Sequence, residues 1–313
     1  MGKVIGIGET VTDIIIRNGI PQNMVCGGSC LNAMVSLGRG GLNPLFISEV
    51  GDDKLGDRTI DFLNANNVSS DYVAKVSGKK SKLSLAFLDE NNDAQYEFFQ
   101  DSRTDEFPSH LPAVANGDIV LYGSFYALNP LLHARLSVFL HTAEQSGALI
   151  YYDVNFRPTY LSQRAMLNDQ LEDNFNLASV VRGSDEDFRN IFGTDDVSAV
   201  YDKIKEHCPV LILTRGSHGV DLATPYLRKH YAIQPVEVVS SIGAGDTFNA
   251  GVVFTLATMN TTRQNLATMD EQQWDSVIQR AAMMSAEVCG LNENYITKQT
   301  GELLRSVLKQ SSR

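Results

Sequence analysis

Short runs of apolar, mostly β-branched residues recur along the chain at VIGIG (4–8), LFISEVG (45–51), DIVLYG (118–123), ALIYYDVN (148–155) and VLILT (210–214). Helical patterns separate them, at 30–39, 56–66, 131–145, 197–206, 247–258 and 274–289. Near-continuous apolar strands of this kind suit a parallel sheet covered on both faces, joined by right-handed helical crossovers, so the pattern predicts an α/β fold. One segment breaks the rhythm. In SKLSLAFLDENNDAQYEFF (81–99), Leu83, Leu85 and Phe87 alternate with smaller or polar neighbours, an Asn/Asp cluster follows, and alternation resumes through Tyr96 and Phe98. That is the signature of an antiparallel hairpin. Its apolar face needs a cover, which makes it a lid over a ligand, a dimer surface or an edge hairpin of the main sheet.

A length of 313 residues, 43% hydrophobic, suits one main domain, with neither an internal repeat nor a low-complexity linker. The formal net charge of −11 speaks against nucleic acid or an anionic membrane as partner. No apolar stretch reaches the length of a membrane span, and the opening MGKVIGIGE turns acidic too early for a signal peptide, so a cytoplasmic protein is expected. Cys26, Cys30, Cys208 and Cys289 lack a zinc-type pairing and read as reduced packing residues.

Familiar phosphate and nucleophile motifs are absent. GIGETV (6–11) has Val11 where a dinucleotide fingerprint needs glycine, no GxxxxGK[ST] loop occurs, and GGSCL (27–31) has Leu31 where a nucleophile elbow ends in glycine. The informative stretch is IGAGDTF (242–248). Gly243, Ala244 and Gly245 allow close backbone approach at the first turn of an apolar helix, whose free N–H groups and positive dipole end form an anion site. Asp246 then has two readings, a helix-start carboxylate or a base that takes a proton from a substrate hydroxyl during phosphoryl transfer. The dipole is expected to keep it ionised.

GETVTDI (8–14), GGSCLNA (27–33), VGDDKLG (50–56), DVNFRP (153–158), LTRGSHG (213–219) and IGAGDTFNAG (242–251) together resemble, in order and over nearly the whole chain, the ribokinase-like sugar kinases of the phosphofructokinase-B type. The resemblance implies a three-layer α/β/α sandwich with a mostly parallel central sheet, as one kinase domain over 1–313 with a small β lid from about 8–30 and 81–105. It implies an ATP- and Mg²⁺-dependent kinase acting on a sugar hydroxymethyl group. Asp246 would be the base, and Gly243, Ala244 and Gly245 the anion hole.

By the same resemblance Asp13, Gly27, Gly28 and Asn32 would bind sugar, chemistry suited to a carboxylate, an amide and a tight loop. Asn155 and Arg157 sit past a strand end, where ligand crevices form in such sheets, and would reach sugar or phosphate oxygens. Thr214, Gly216 and Gly219 match the nucleotide loop, whereas His218 reads as a solvent-facing turn residue. Asn292 would border the adenine. Ser184 and Asp187 stand where the family has an Asn-x-x-Glu pattern that orders water around Mg²⁺.

Two departures carry information. Ser240 and Ile242 replace the Asp and Thr of cation-activated members, which speaks against potassium activation. Gln100 stands where many relatives have an arginine after the hairpin, which disfavours an acidic sugar unless Arg103 substitutes. Fructose is therefore the favoured acceptor, with a homodimer through the lid. A nucleoside sandwiched by Phe87, Phe98 and Phe99, ketodeoxygluconate, and a catalytically silent sugar-binding protein are the alternatives.

Overall fold

The computed structural model describes residues 1–88, 94–99 and 107–311. The hairpin turn at 89–93 and the stretch 100–106, with Gln100 and Arg103, lie outside them.

A nine-stranded sheet forms the middle of the molecule. Its strands are β1 (Val4–Ile7), β4 (Leu45–Gly51), β5 (Val73–Val76), β8 (Ile119–Gly123), β9 (Leu149–Asp153), β10 (Val180–Ser184), β11 (Val210–Thr214), β12 (Val220–Ala223) and β13 (Arg228–Tyr231). The order is β13-β12-β11-β10-β9-β8-β1-β4-β5, parallel from β5 to β11, with β12 and β13 antiparallel at one edge. Helices cover both faces, and two apolar clusters fill the spaces between layers. The apolar runs named above all become strands. The unread ones have physical reasons: Arg182 and Gly183 interrupt β10, while VAKV, VDLA and RKHY are short and polar in part. Charges on β13 suit an exposed edge, where they discourage pairing with another chain.

The helix Ala244–Thr258 is buried from Thr247 to Ala257 and lies against the helix Glu271–Cys289. A Cβ on Gly251 would meet Ala281 Cα at 2.5 Å, so the last glycine of GAGDTFNAG exists for the helix crossing. A helix apolar all round is a core helix, which fixes its N-terminus firmly beneath whatever binds there.

Strands β2 (Val11–Arg17), β3 (Ile20–Gly27), β6 (Leu83–Leu88) and β7 (Ala94–Phe99) form a separate sheet in the order β3-β2-β6-β7. The predicted 81–99 hairpin is its β6-β7 pair, and Asn18 and Gly19, both left-handed, turn β2 into β3. Register divides its side chains. Asp13 pairs with Ser84 and Ser84 with Phe98, so these share one face. Ile14 with Leu85, Ile16 with Phe87, and Leu83 with Phe99 occupy the other. No helix among the described residues is long and apolar enough to cross a membrane.

Candidate active site

The C-terminal ends of β1, β8, β9, β10 and β11 converge on the N-terminus of the Ala244–Thr258 helix. Gly243 caps that helix in the left-handed region at φ 81°. A Cβ there would stand 2.4 Å from the Asn294 carbonyl oxygen, so glycine is required on both counts. The Ala244 N–H donates to Ser241 O at 3.3 Å and the Thr247 N–H to Gly243 O at 2.8 Å. Helix geometry leaves the N–H groups of Gly245 and Asp246 in the same turn with no acceptor within the helix, which is what a phosphoryl oxygen needs. Upstream, Val239 and Ser240 donate to the carbonyl of Cys289 at 2.7 and 3.1 Å, pinning the approach to this turn.

Asp246 points from the turn toward the helix Ser29–Arg39. Its Oδ1 accepts from the Ser29 hydroxyl at 2.7 Å and its Oδ2 from Asn32 Nδ2 at 2.8 Å. Burial pushes its carboxyl up to about 6, with Asp153 adding to the rise and the bonds from Asn32 and Ser29 and the charge of Arg182 holding it down. The carboxyl is thus raised, not lowered as the helix dipole alone would make it, and it is still mostly ionised at neutral pH. Loss of water costs the carboxylate more than the dipole returns, and a carboxyl group tuned toward neutrality results.

Asn32 is buried, and its Oδ1 has no partner among the described residues. Gly28, at φ 128°, caps the helix that carries it, and a Cβ there would meet Glu9 O at 2.3 Å. A Cβ on Gly27 would stand 2.6 Å from Asp13 Oδ2. Asp13 accepts from the Ser84 hydroxyl; burial raises its carboxyl while that bond and nearby Arg157 oppose the rise. Asp13, Gly27, Gly28, Asn32 and Asp246 are thus one constellation, with Arg157 exposed at its rim. Asn155 is left-handed at φ 39°, where the chain leaves β9. Gly8, Glu9, Ser29, Gly123, Ser124 and Asp153 line a narrow cleft beside Asp246.

On the other side of the turn, Thr214 ends β11, and Gly216 and Gly219 are both left-handed in the loop that follows. His218 is exposed, as expected, and Asn292 is exposed on the loop whose Asn294 abuts Gly243. Ser184 and Asp187, expected to order water around Mg²⁺, also have a structural role. They form a capping box: Asp187 Oδ2 accepts from the Ser184 N–H at 2.6 Å and hydroxyl at 2.8 Å, and Oδ1 from the Phe156 N–H at 2.7 Å. Burial raises this carboxyl despite those bonds. Asp187 so ties the strand β10 end to the chain after β9, and its service to a metal through water would be confined to what the three bonds leave over.

Three residues of this site carried no signal in the sequence reading. Ser29 lies inside GGSCL, yet only the fold brings its hydroxyl to Asp246. Asp153 opens DVNFRP and turns out to face Ser29 at 3.4 Å, and Arg182, which looks like a surface charge, is buried between Asp153 and Thr214.

The arrangement joins an anion-binding helix turn, a near-neutral carboxylate and a lined cleft. Comparisons with known proteins fit it. The chain is 26% identical over 261 residues to a fructokinase of Klebsiella pneumoniae, covering 82% of this chain and 85% of that one. Its fold matches an aminoimidazole riboside kinase of Salmonella enterica solved with aminoimidazole riboside and an ATP analogue (TM-score 0.84, 20% identity, 98% of this chain and 100% of that one). It likewise matches a fructokinase of Vibrio cholerae solved with fructose, ADP and calcium (TM-score 0.83, 21% identity, 98% and 99% of the chains). The model of the pfkB carbohydrate kinases matches residues 1–291, and the chain belongs to that family.

Proposed function

We propose that the protein phosphorylates a hydroxymethyl group of a neutral ketose, fructose first, at the expense of ATP with Mg²⁺. The observation that carries this reading is the placement of the Asp246 carboxylate in the same helix turn as the unbonded amides of Gly245 and Asp246. A hydroxyl held by Asp246 faces a phosphoryl group held by those amides. ATP supplies the phosphoryl group, and its Mg²⁺ neutralises phosphate charge. The chain's own work is to hold and orient. Asp13 and Asn32 hold the sugar, the latter through the Oδ1 that no group among the described residues satisfies. Asp246 orients the acceptor hydroxyl and takes its proton as the oxygen–phosphorus bond forms, and ADP departs. The amides of Gly245 and Asp246 meet the charge on the phosphoryl oxygens. Gly216 and Gly219, with Asn292 at the far side of the turn, border the nucleotide.

The four-stranded sheet is read as the lid. Phe98, 62% exposed, lies on the face of Asp13 and Ser84, so it reaches over the sugar, while Phe87 and Phe99 face away and cannot complete an aromatic sandwich. That geometry favours a sugar over a nucleoside. The opposite face, with Ile14, Ile16, Leu83, Leu85, Phe87 and Phe99, is the proposed homodimer surface, and the location is read as cytoplasmic, where ATP is plentiful. Light scattering should report about twice 34.4 kDa. A monomer at all concentrations would leave that face without its proposed cover.

ADP release across fructose, ribose, ketodeoxygluconate, adenosine and inosine tests the substrate class: fructose should respond most strongly, and a preference for adenosine or inosine would overturn the ketose reading. The pH dependence has a definite sign. Asp246 must be ionised to accept a proton, and its carboxyl is raised to about 6, so kcat/KM should fall as pH drops through about 6. An acidic limb at the ordinary aspartate value would contradict the burial argument.

A further inference from the structure

Beneath the anion-binding turn lies a cation that the mechanism above does not use. Arg182 is 8% exposed, on the central strand β10. Its Nη1 donates to Asp153 Oδ1 at 2.9 Å and its Nη2 to Thr214 Oγ1 at 2.8 Å. Asp153 in turn lies beside Ser29, which donates to Asp246, and Thr214 opens the nucleotide loop. The guanidinium is also packed against the turn itself: a Cβ on Gly245 would stand 3.1 Å from Nη2 and 3.2 Å from Nη1, and the Phe248 ring lies 5.8 Å from Cζ. Its buried Nε has no partner among the described residues. A buried guanidinium with a spare donor, placed under an anion site, is costly unless its charge and its fork geometry are both used.

We propose that Arg182 is a positioning residue for phosphoryl transfer, a cationic brace that locks the acceptor-side Asp153 to the nucleotide-side Thr214 directly under the Gly245 turn. This rests on the kinase reading above. The brace has two jobs. Its fork holds the two halves of the site at a fixed separation, which matters because transfer depends on alignment of donor and acceptor. Its charge offsets two neighbouring carboxylates, Asp153 and Asp246, and so keeps the base available. The other titratable groups facing this cluster are Tyr151 on β9, Asp187 on its own helix and Cys30 on the Ser29–Arg39 helix, and none of them supplies a positive charge.

The test compares Arg182→Gln with Arg182→Lys, using one readout that needs no turnover. Carbon-13 titration of the aspartate carboxyls, with Asp246 assigned through its Asn variant, should show Asp246 titrating near 6 in the natural protein. In Arg182→Gln it should move upward by on the order of one pH unit, because the offsetting charge is gone. Arg182→Lys should leave it near its natural position. In turnover, Arg182→Gln should lose at least about tenfold in kcat with little change in the sugar KM. Arg182→Lys should also lose kcat, since a single ammonium cannot span Asp153 and Thr214 as a fork does. A folded Arg182→Gln protein with natural kcat and an unmoved Asp246 titration overturns the proposal. If that variant does not fold, Thr214→Val, which frees one arm of the fork, decides: lowered kcat at unchanged sugar KM supports the brace, and natural kcat overturns it. The titration separates this proposal from the kinase reading, because it holds or fails even if the natural protein phosphorylates no sugar in the panel.

Discussion

Replacing Asp246 with Asn should lower kcat by at least about a thousandfold, within the range of a lost general base, while an ATP analogue binds with nearly natural affinity. The amides of the helix turn stay in place in that variant, and only the proton acceptor disappears. The fold should tolerate the change. The buried carboxylate accepts from Ser29 and Asn32, and an Asn side chain offers one oxygen and one amide in its place. Asn32 can turn its amide so that the Oδ1 now lacking a partner accepts from the new donor. The stability effect follows from linkage. The folded-state carboxyl is raised to about 6 from 3.8, so its contribution is fully present only below the unfolded value and is lost as pH rises through about 6. Ionised Asp246 thus costs the folded protein on the order of 3 kcal/mol at pH 8. The Asn variant should melt a few degrees higher than the natural protein at pH 8, with the gap closing toward pH 4. A variant that is inactive because it is unfolded, or active at natural rates, would each contradict the assignment.

The second large effect belongs to Gly243→Ala. The residue sits at φ 81°, where an L side chain costs roughly 1–2 kcal/mol, and its Cβ would press on the Asn294 carbonyl oxygen at 2.4 Å. Both partners are backbone, so neither can swing aside. The helix start must shift, carrying the amides of Gly245 and Asp246 off the phosphoryl position and displacing the loop that bears Asn292. Loss of about a hundredfold in kcat, the scale of one lost oxyanion-hole donor, is expected together with a lower melting temperature. Unchanged turnover in the Ala variant would show that the amides of this turn do not carry the transferring group.

Much of this architecture was legible in the residue pattern. Runs such as VLILT and LFISEVG are mostly apolar because both faces of a central parallel sheet are covered, and GAGD announces itself by placing glycines and a carboxylate ahead of an apolar helix. Other features were hidden for definite reasons. The strand β10 was missed because its one arginine is buried among partners that lie 29 and 32 positions away. The upward shift of Asp246 was not legible because the dipole is a local property of the helix, whereas burial, with Asp153 some 93 positions away adding to it, is made by the fold. The three lid phenylalanines looked alike in sequence. Only the pairing register shows that Phe98 shares the face of Asp13 and that Phe87 and Phe99 do not. Ser184 and Asp187 fell on a motif position, but their hydrogen bonds are those of a helix cap.

The central claim is transfer of a phosphoryl group to a sugar hydroxymethyl with Asp246 as the base, and its most direct test is phosphorus NMR of the product. Purified protein, ATP, Mg²⁺ and fructose should give ADP and a fructose phosphate ester on a primary hydroxyl, and the Asp246→Asn protein under the same conditions should give neither. ADP with inorganic phosphate but no ester, or an ester formed equally well by the Asn variant, would contradict it.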